Sequence, residues 1–249
     1  MGTDEAGSNP AARFVGAVAH DIGRAMSFLV CKIGFRHRWR GGRNMPATGP
    51  VLVVANHQSY LDPPIVGVAI PGRRAMYVAR LGLFKLPLFG QLIALVGAVP
   101  IKEEGGDTAA MRAVLGALKK NRPVVIFPEG SRSHDGTVGE FKRGVAVIVK
   151  RARCPVLPVG IEGAHDAWPR GSLPRPFTKR VACVVGEPID SSALLDEAGH
   201  ADMDRLRLIV DGLRLEARAI LRADTNGVYP PPGPADKPAQ PWGDQSSVS

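Results

Sequence analysis

From Pro46 onward the chain repeats one device: a short, unbroken apolar run, then a stretch whose apolar residues fall at helical spacing. The runs are Val51–Ala55, Met76–Ala79, Val96–Ile101, Pro123–Phe127, Pro155–Gly160 and Val181–Gly186. An unbroken apolar run of strand length is covered on both faces, unlike an alternating one, which keeps a wet face. Between the runs, Asp62-Pro63-Pro64 reads as a helix start, with the aspartate as N-cap and a proline at the first position. Asp107 is expected to cap a helix whose Met111, Val114, Leu115 and Leu118 share a face. Gly144–Arg151 reads as a short helix, and Leu206, Ile209, Val210, Leu213 and Leu221 mark a long one. Strands alternating with helices predict a single α/β domain over residues 46–222, with a mixed, largely parallel sheet flanked by helices.

Two segments flank that domain. In residues 1–45, Phe14, Val18, Ile22, Met26 and Leu29 form a helical apolar stripe, and Arg36, His37, Arg38, Arg40 and Arg43 follow. An amphipathic helix with a polybasic flank is suited to lying flat on an anionic membrane. After Ala223 the composition turns to Pro, Gly, Asp and Ser, so residues 223–249 are expected to be a disordered tail.

The formal net charge of +9 calls for an anionic partner, nucleic acid or lipid. A nucleic-acid module needs aromatic side chains among its basic residues as stacking platforms. Only Phe35 and Trp39 sit in the basic run, so no nucleic acid is expected. Cys31, Cys154 and Cys183 are an odd set without paired spacing, which speaks against a disulfide framework or a zinc cluster. The start carries Asp4 and Glu5 and no basic region ahead of an apolar core, so a signal peptide is not expected. The apolar stretches Phe14–Phe35 and Leu81–Ile101 are too interrupted by polar residues to span a membrane. Interfacial association is expected instead.

Three polar blocks follow strands. Asn56-His57-Gln58-Ser59-Tyr60-Leu61-Asp62 follows the Val51–Ala55 run, at the strand end where α/β proteins place their sites. A turn between His57 and Asp62 can fold the carboxylate onto one imidazole nitrogen, leaving the other free to take a proton from a hydroxyl. The competing reading is that Asp62 is simply an N-cap. No second His, Cys or Glu lies at ligand spacing near His57, so no metal is expected. Phe127-Pro128-Glu129-Gly130-Ser131-Arg132 is the second block. Its glycine lets backbone N–H groups approach a ligand, and its arginine suits phosphate. Glu129 is placed to hold a hydroxyl or to orient Arg132. In the third block Phe141-Lys142-Arg143-Gly144 leads into Pro155–Val159, whose prolines suggest an edge or pocket-lining strand.

In this order the blocks resemble the phospholipid/glycerol acyltransferase family, known from 1-acyl-glycerol-3-phosphate acyltransferases. The resemblance rests on Asn56, His57 and Asp62, on Phe127 to Arg132, and on Cys154 to Pro158, and it spans about Pro46 to Gly186. It implies that His57 and Asp62 are catalytic and that no acyl-enzyme forms. The Gly-x-Ser-x-Gly of serine hydrolases is absent. It further implies that Phe127, Pro128, Glu129, Gly130, Ser131, Arg132 and Pro158 line the substrate site. Where the family carries an arginine associated with the acceptor phosphate, this chain has Glu103, and Lys102 beside it is the expected substitute. Acyl chains are expected along Leu81–Leu95.

The implied activity is acylation of 1-acyl-glycerol-3-phosphate to phosphatidic acid, with acyl-CoA or acyl-carrier protein as donor and no cofactor. A different lysolipid, glycerol 3-phosphate or a glycolipid is the alternative acceptor, and an inactive lipid-binding protein is the non-enzymatic reading. The expected location is the cytoplasmic face of the plasma membrane, peripheral or monotopic.

Overall fold

Strands buried on both faces need a helical layer on each side, and a computed structural model of the chain has that arrangement. It describes residues 10–84, 90, 93, 98–101 and 106–231. The described strands are β1 (Arg38–Arg40), β2 (Leu52–Ala55), β3 (Met76–Arg80), β4 (Ala98–Ile101), β5 (Val124–Ile126), β6 (Val156–Glu162) and β7 (Ala182–Val185). They form one seven-stranded sheet in the order β1-β7-β6-β2-β5-β3-β4. Every described pair is parallel except β6 with β7.

The pleat sorts the side chains of β2 between two cores. Val51, Val53 and Ala55 meet Ile65 and Val66 of helix α2 (Asp62–Ala69) on one face. Leu52 and Val54 meet the other core. That core contains Val114 and Leu118 of α3 (Gly106–Lys119), Val145, Ile148 and Val149 of α4 (Arg143–Ala152), and Leu206 and Val210 of α5 (Met203–Asp224). Adjacent strands β2 and β5 therefore send their chains to opposite faces, β2 to α2 and β5 to α4. Such divergence opens a crevice at the carboxyl ends of the strands.

Helix α1 (Pro10–Leu29) packs on α2 and runs into a π-helical turn, Val30–Gly34. Gly23, Ser27 and Cys31 face inward, whereas Val18, Ile22, Met26, Leu29, Val30 and Ile33 are all exposed. The apolar stripe thus points away from the protein. Among the described residues no helix is long and apolar enough to cross a membrane.

The basic run is not a free flank. Arg38-Trp39-Arg40 is the edge strand β1, so part of the segment 1–45 belongs to the sheet. Arg38 bonds Asp224 at 2.8 Å, Arg40 pairs with Glu216, and His37 is fully buried. The C-terminal boundary also shifts. Helix α5 runs to Asp224, and Tyr229 donates its hydroxyl to Glu162 at 2.9 Å, so residues 223–231 pack on the domain. Residues 232–249 lie outside the described residues.

The Pro155–Gly160 run is no edge. β6 lies between β7 and β2, with Pro158 opposite Val54. Its carbonyl accepts from Gly186 N at 2.9 Å, so its missing donor faces β7, where the antiparallel ladder begins only at Val159.

Candidate active site

β2 ends at Ala55, and Asn56 fastens that end sideways. Its amide donates to Ile161 O at 2.9 Å and accepts from Ile161 N at 2.7 Å, tying the strand end to β6. The following turn presents His57 with its side chain about one-fifth exposed. His57 Nδ1 lies 2.7 Å from Asp62 Oδ2. The same oxygen accepts from Gln58 N at 2.6 Å and Ser59 N at 2.7 Å. Asp62 is fully buried, and its Oδ1 has no hydrogen-bond partner among the described residues.

Asp62 is therefore not an N-cap. It is the first helical residue, Leu61 occupies the cap position without a side-chain bond, and the carboxylate closes the turn before the helix. Two backbone donors fix that carboxylate, and the carboxylate fixes the imidazole. Nδ1–H facing Asp62 leaves Nε2 as the basic nitrogen, and no described residue bonds it.

The second block grips the same turn. His57 N donates to Glu129 Oε1 at 2.8 Å, and His57 O accepts from Ser133 N at 2.7 Å. Phe127 stacks on the imidazole with ring centroids 4.4 Å apart. Glu129 Oε2 accepts from Gly139 N at 3.2 Å. Each of its oxygens thus accepts from a backbone N–H, and no bond from Arg132 reaches it among the described residues. It is a strut between two loops. Burial pushes its carboxyl up to about 7, against the pull of the His57 and Gly139 N–H groups, with Asp62 and Asp135 adding to the rise.

Gly130 has φ +68°, a left-handed conformation that favours glycine. Pro128 O accepts from Lys142 N at 2.9 Å, which draws the start of α4 onto the turn. Ser131 is exposed. The Arg132 guanidinium lies 3.6 Å above the Tyr60 ring, and its Nη1 is buried with no hydrogen-bond partner among the described residues. An unpartnered guanidinium nitrogen is suited to an anionic group.

The structure therefore gathers His57, Asp62, Phe127, Pro128, Glu129, Gly130, Ser131 and Arg132 at the carboxyl ends of β2 and β5. Pro158 does not join them. Its ring lies beside Gly186 and Leu213, on the α5 face of the sheet. Lys102 and Glu103, with most of Leu81–Leu95, lie outside the described residues.

Sequence reasoning assigned no role to Gln58, Tyr60 or Glu162. Gln58 is buried; its amide donates to Gly136 O at 2.6 Å and accepts from Ala164 N at 3.1 Å, so it links the loops after β5 and β6. Glu162, at the end of β6, accepts from Arg214 at 3.0 Å and Arg218 at 2.8 Å, and Arg214 also bonds Asp211 at 2.7 Å. This buried network clamps α5 to the sheet. The available signal was a lone carboxylate closing an otherwise apolar run.

The fold and site define an α/β protein with a histidine held by a buried aspartate at the end of a central strand. Comparison with known proteins makes that class specific. The family described as Acyltransferase matches residues 36–162. A chloroplastic 1-acyl-sn-glycerol-3-phosphate acyltransferase of Brassica napus is 30% identical over 176 residues, 68% of this chain and 51% of that one. The 1-acyl-sn-glycerol-3-phosphate acyltransferase alpha of Mus musculus is 30% identical over 194 residues, 72% of this chain and 67% of that one. In a crystal structure, the 1-acyl-sn-glycerophosphate acyltransferase PlsC of Thermotoga maritima is 26% identical with a TM-score of 0.63, covering 84% of this chain and 80% of that one. The chain spans about half the length of the plant relatives it matches. It belongs to the Acyltransferase family.

Proposed function

We propose that the chain transfers a fatty acyl group from acyl-CoA or acyl-carrier protein to the free hydroxyl of 1-acyl-glycerol-3-phosphate, giving phosphatidic acid. The observation that carries this reading is the 2.7 Å His57–Asp62 pair, with Nε2 unengaged among the described residues. Nε2 takes the hydroxyl proton as the acceptor oxygen attacks the thioester carbonyl carbon. The tetrahedral intermediate collapses, its carbon–sulfur bond breaks, and the imidazolium returns the proton to the departing thiolate. The chemistry is balanced without an acyl-enzyme or a cofactor. Asp62 stabilises the imidazolium, and general-base assistance of this kind is worth about a hundredfold to ten-thousandfold in rate. Arg132 receives the acceptor phosphate.

The reaction is placed at an anionic membrane surface, on the cytoplasmic face of the plasma membrane, with α1 as a peripheral or monotopic anchor. The outward apolar stripe of α1 supports the interfacial anchoring. Glu103, where relatives in the resembling family carry arginine, favours the second reading, an acceptor with another head group. A thiol-release assay with acyl-CoA across lysophosphatidic acid, other lysolipids, glycerol 3-phosphate and glycolipids tests both. Release that depends on lysophosphatidic acid is expected. Release dependent only on another acceptor overturns the first reading, and none with any acceptor overturns acyl transfer.

A further inference from the structure

The loop Trp168–Arg180 carries features the site does not use. Leu173 and Phe177 are exposed at 83% and 69% of their surface, among the largest values of any apolar side chain described. Phe177 has φ +66°, a left-handed conformation that an aromatic residue rarely adopts. Its N–H donates to Gly34 O, and Thr178 Oγ1 to Arg175 O at 3.1 Å, so the turn is held rather than loose. A backbone strained to aim a large apolar ring at solvent is a functional pointer.

Charge and position say what the ring meets. No acidic residue lies between Trp168 and Arg180. Arg180 is spent on Asp224, while Arg170 and Arg175 are exposed and Lys179 is half-buried. The Phe177–Gly34 bond seats the loop against the turn that ends α1, where Val30 and Ile33 are exposed. Apolar tips among cations, adjoining an outward apolar helix face, are complementary to a bilayer of anionic lipid. The base of the loop reaches the site. Trp168 O accepts from Ser59 Oγ at 3.0 Å, and the Trp168 ring meets Tyr60 edge-on at 5.4 Å, beneath the Arg132 guanidinium.

We propose that the loop Trp168–Arg180 is a second membrane-docking element, which inserts Leu173 and Phe177 into an anionic bilayer beside α1 and sets the site mouth at the lipid surface. The proposal rests on the membrane-surface reading of α1, but its test needs no turnover. Cys31, Cys154 and Cys183 are buried, so a thiol probe on Leu173→Cys or Phe177→Cys reports that position alone. On vesicles of equal parts phosphatidylcholine and phosphatidylglycerol, both probes are expected to shift to the blue and to be quenched by nitroxides on the lipid tails. A probe on Glu197→Cys, exposed on the opposite layer, is expected to stay in water. Loop probes that stay in water while the protein sediments with the vesicles overturn the proposal.

The double variant Leu173→Ser, Phe177→Ser gives an independent reading. Withdrawing two large apolar side chains from lipid weakens vesicle partition by about tenfold or more. Transfer to a bilayer-embedded acceptor falls in step, and transfer to a short-chain, water-dispersed acceptor does not change. Unaltered partition overturns the proposal, as does weakened binding of acyl-carrier protein in its place, which marks a protein-docking loop. Probes that insert in a protein without acyl transfer sink the catalytic reading alone.

Discussion

Glu129→Gln separates two roles for a residue that sequence placed against the substrate. In the folded chain Glu129 is 9% exposed and braces the His57 turn against Gly139, and burial raises its carboxyl to about 7 from an ordinary 4.5. A folded-state value above the unfolded one means that the native chain keeps a proton which the unfolded chain has released. Its stabilising contribution is complete below about pH 4.5 and is lost as pH rises through about 7. A rise of that size corresponds to about 3 kcal/mol. The amide of the variant does not titrate, so the stability of the native protein relative to Glu129→Gln should fall by about 3 kcal/mol across that window. Urea unfolding of both proteins at several pH values between about 4 and 8 measures it. Profiles that run parallel refute the buried-strut account. Kinetics give a second check. The amide oxygen of the variant can still accept from His57 N, but its NH2 then faces Gly139 N, donor against donor. Turnover should fall while the acceptor KM stays nearly constant; a selective rise in that KM would instead make Glu129 a substrate contact.

Arg132→Ala should raise the acceptor KM by about tenfold to a hundredfold, the worth of a charge-assisted hydrogen bond, and leave the thioester KM unchanged in steady-state assays. Asp62→Asn should cut kcat strongly with little effect on either KM, because its oxygen keeps the backbone donors while the carboxylate charge that faces His57 is lost. Arg214→Met should lower the urea unfolding free energy by about 3–5 kcal/mol, because Glu162 loses a buried partner; acyl transfer per folded molecule is the control.

What sequence could and could not reveal follows from the range of the forces involved. Strands β2, β5 and β6 were readable because burial on both faces demands unbroken apolar runs, as in Leu52–Ala55. Helices α4 and α5 were readable from local periodicity. Strand β1 was not, since Arg-Trp-Arg is mostly charged, and the partners of its arginines, Asp224 and Glu216, lie far along the chain. Pro158 suggested an edge because proline lacks a donor, but which neighbour that donor would face depends on where β7 ends. Asp62 looked like an N-cap because Asp-Pro-Pro is a local signature, while its actual donors come from the turn before it. His57 with Asp62, and the block ending at Arg132, were visible as motifs. The grip of Glu129 and Ser133 on the His57 peptide depends on β2 and β5 being neighbours, which strand runs alone do not state.

The proposed acyl transfer turns on His57 Nε2 removing the proton from an acceptor hydroxyl. The most direct measurement is thiol release from acyl-CoA by His57→Ala, with 1-acyl-glycerol-3-phosphate as acceptor and the variant's unfolding transition matched to the parent's. A general base at this position predicts that kcat falls by about a hundredfold or more. A folded His57→Ala protein that transfers acyl groups at near-native rate contradicts the account.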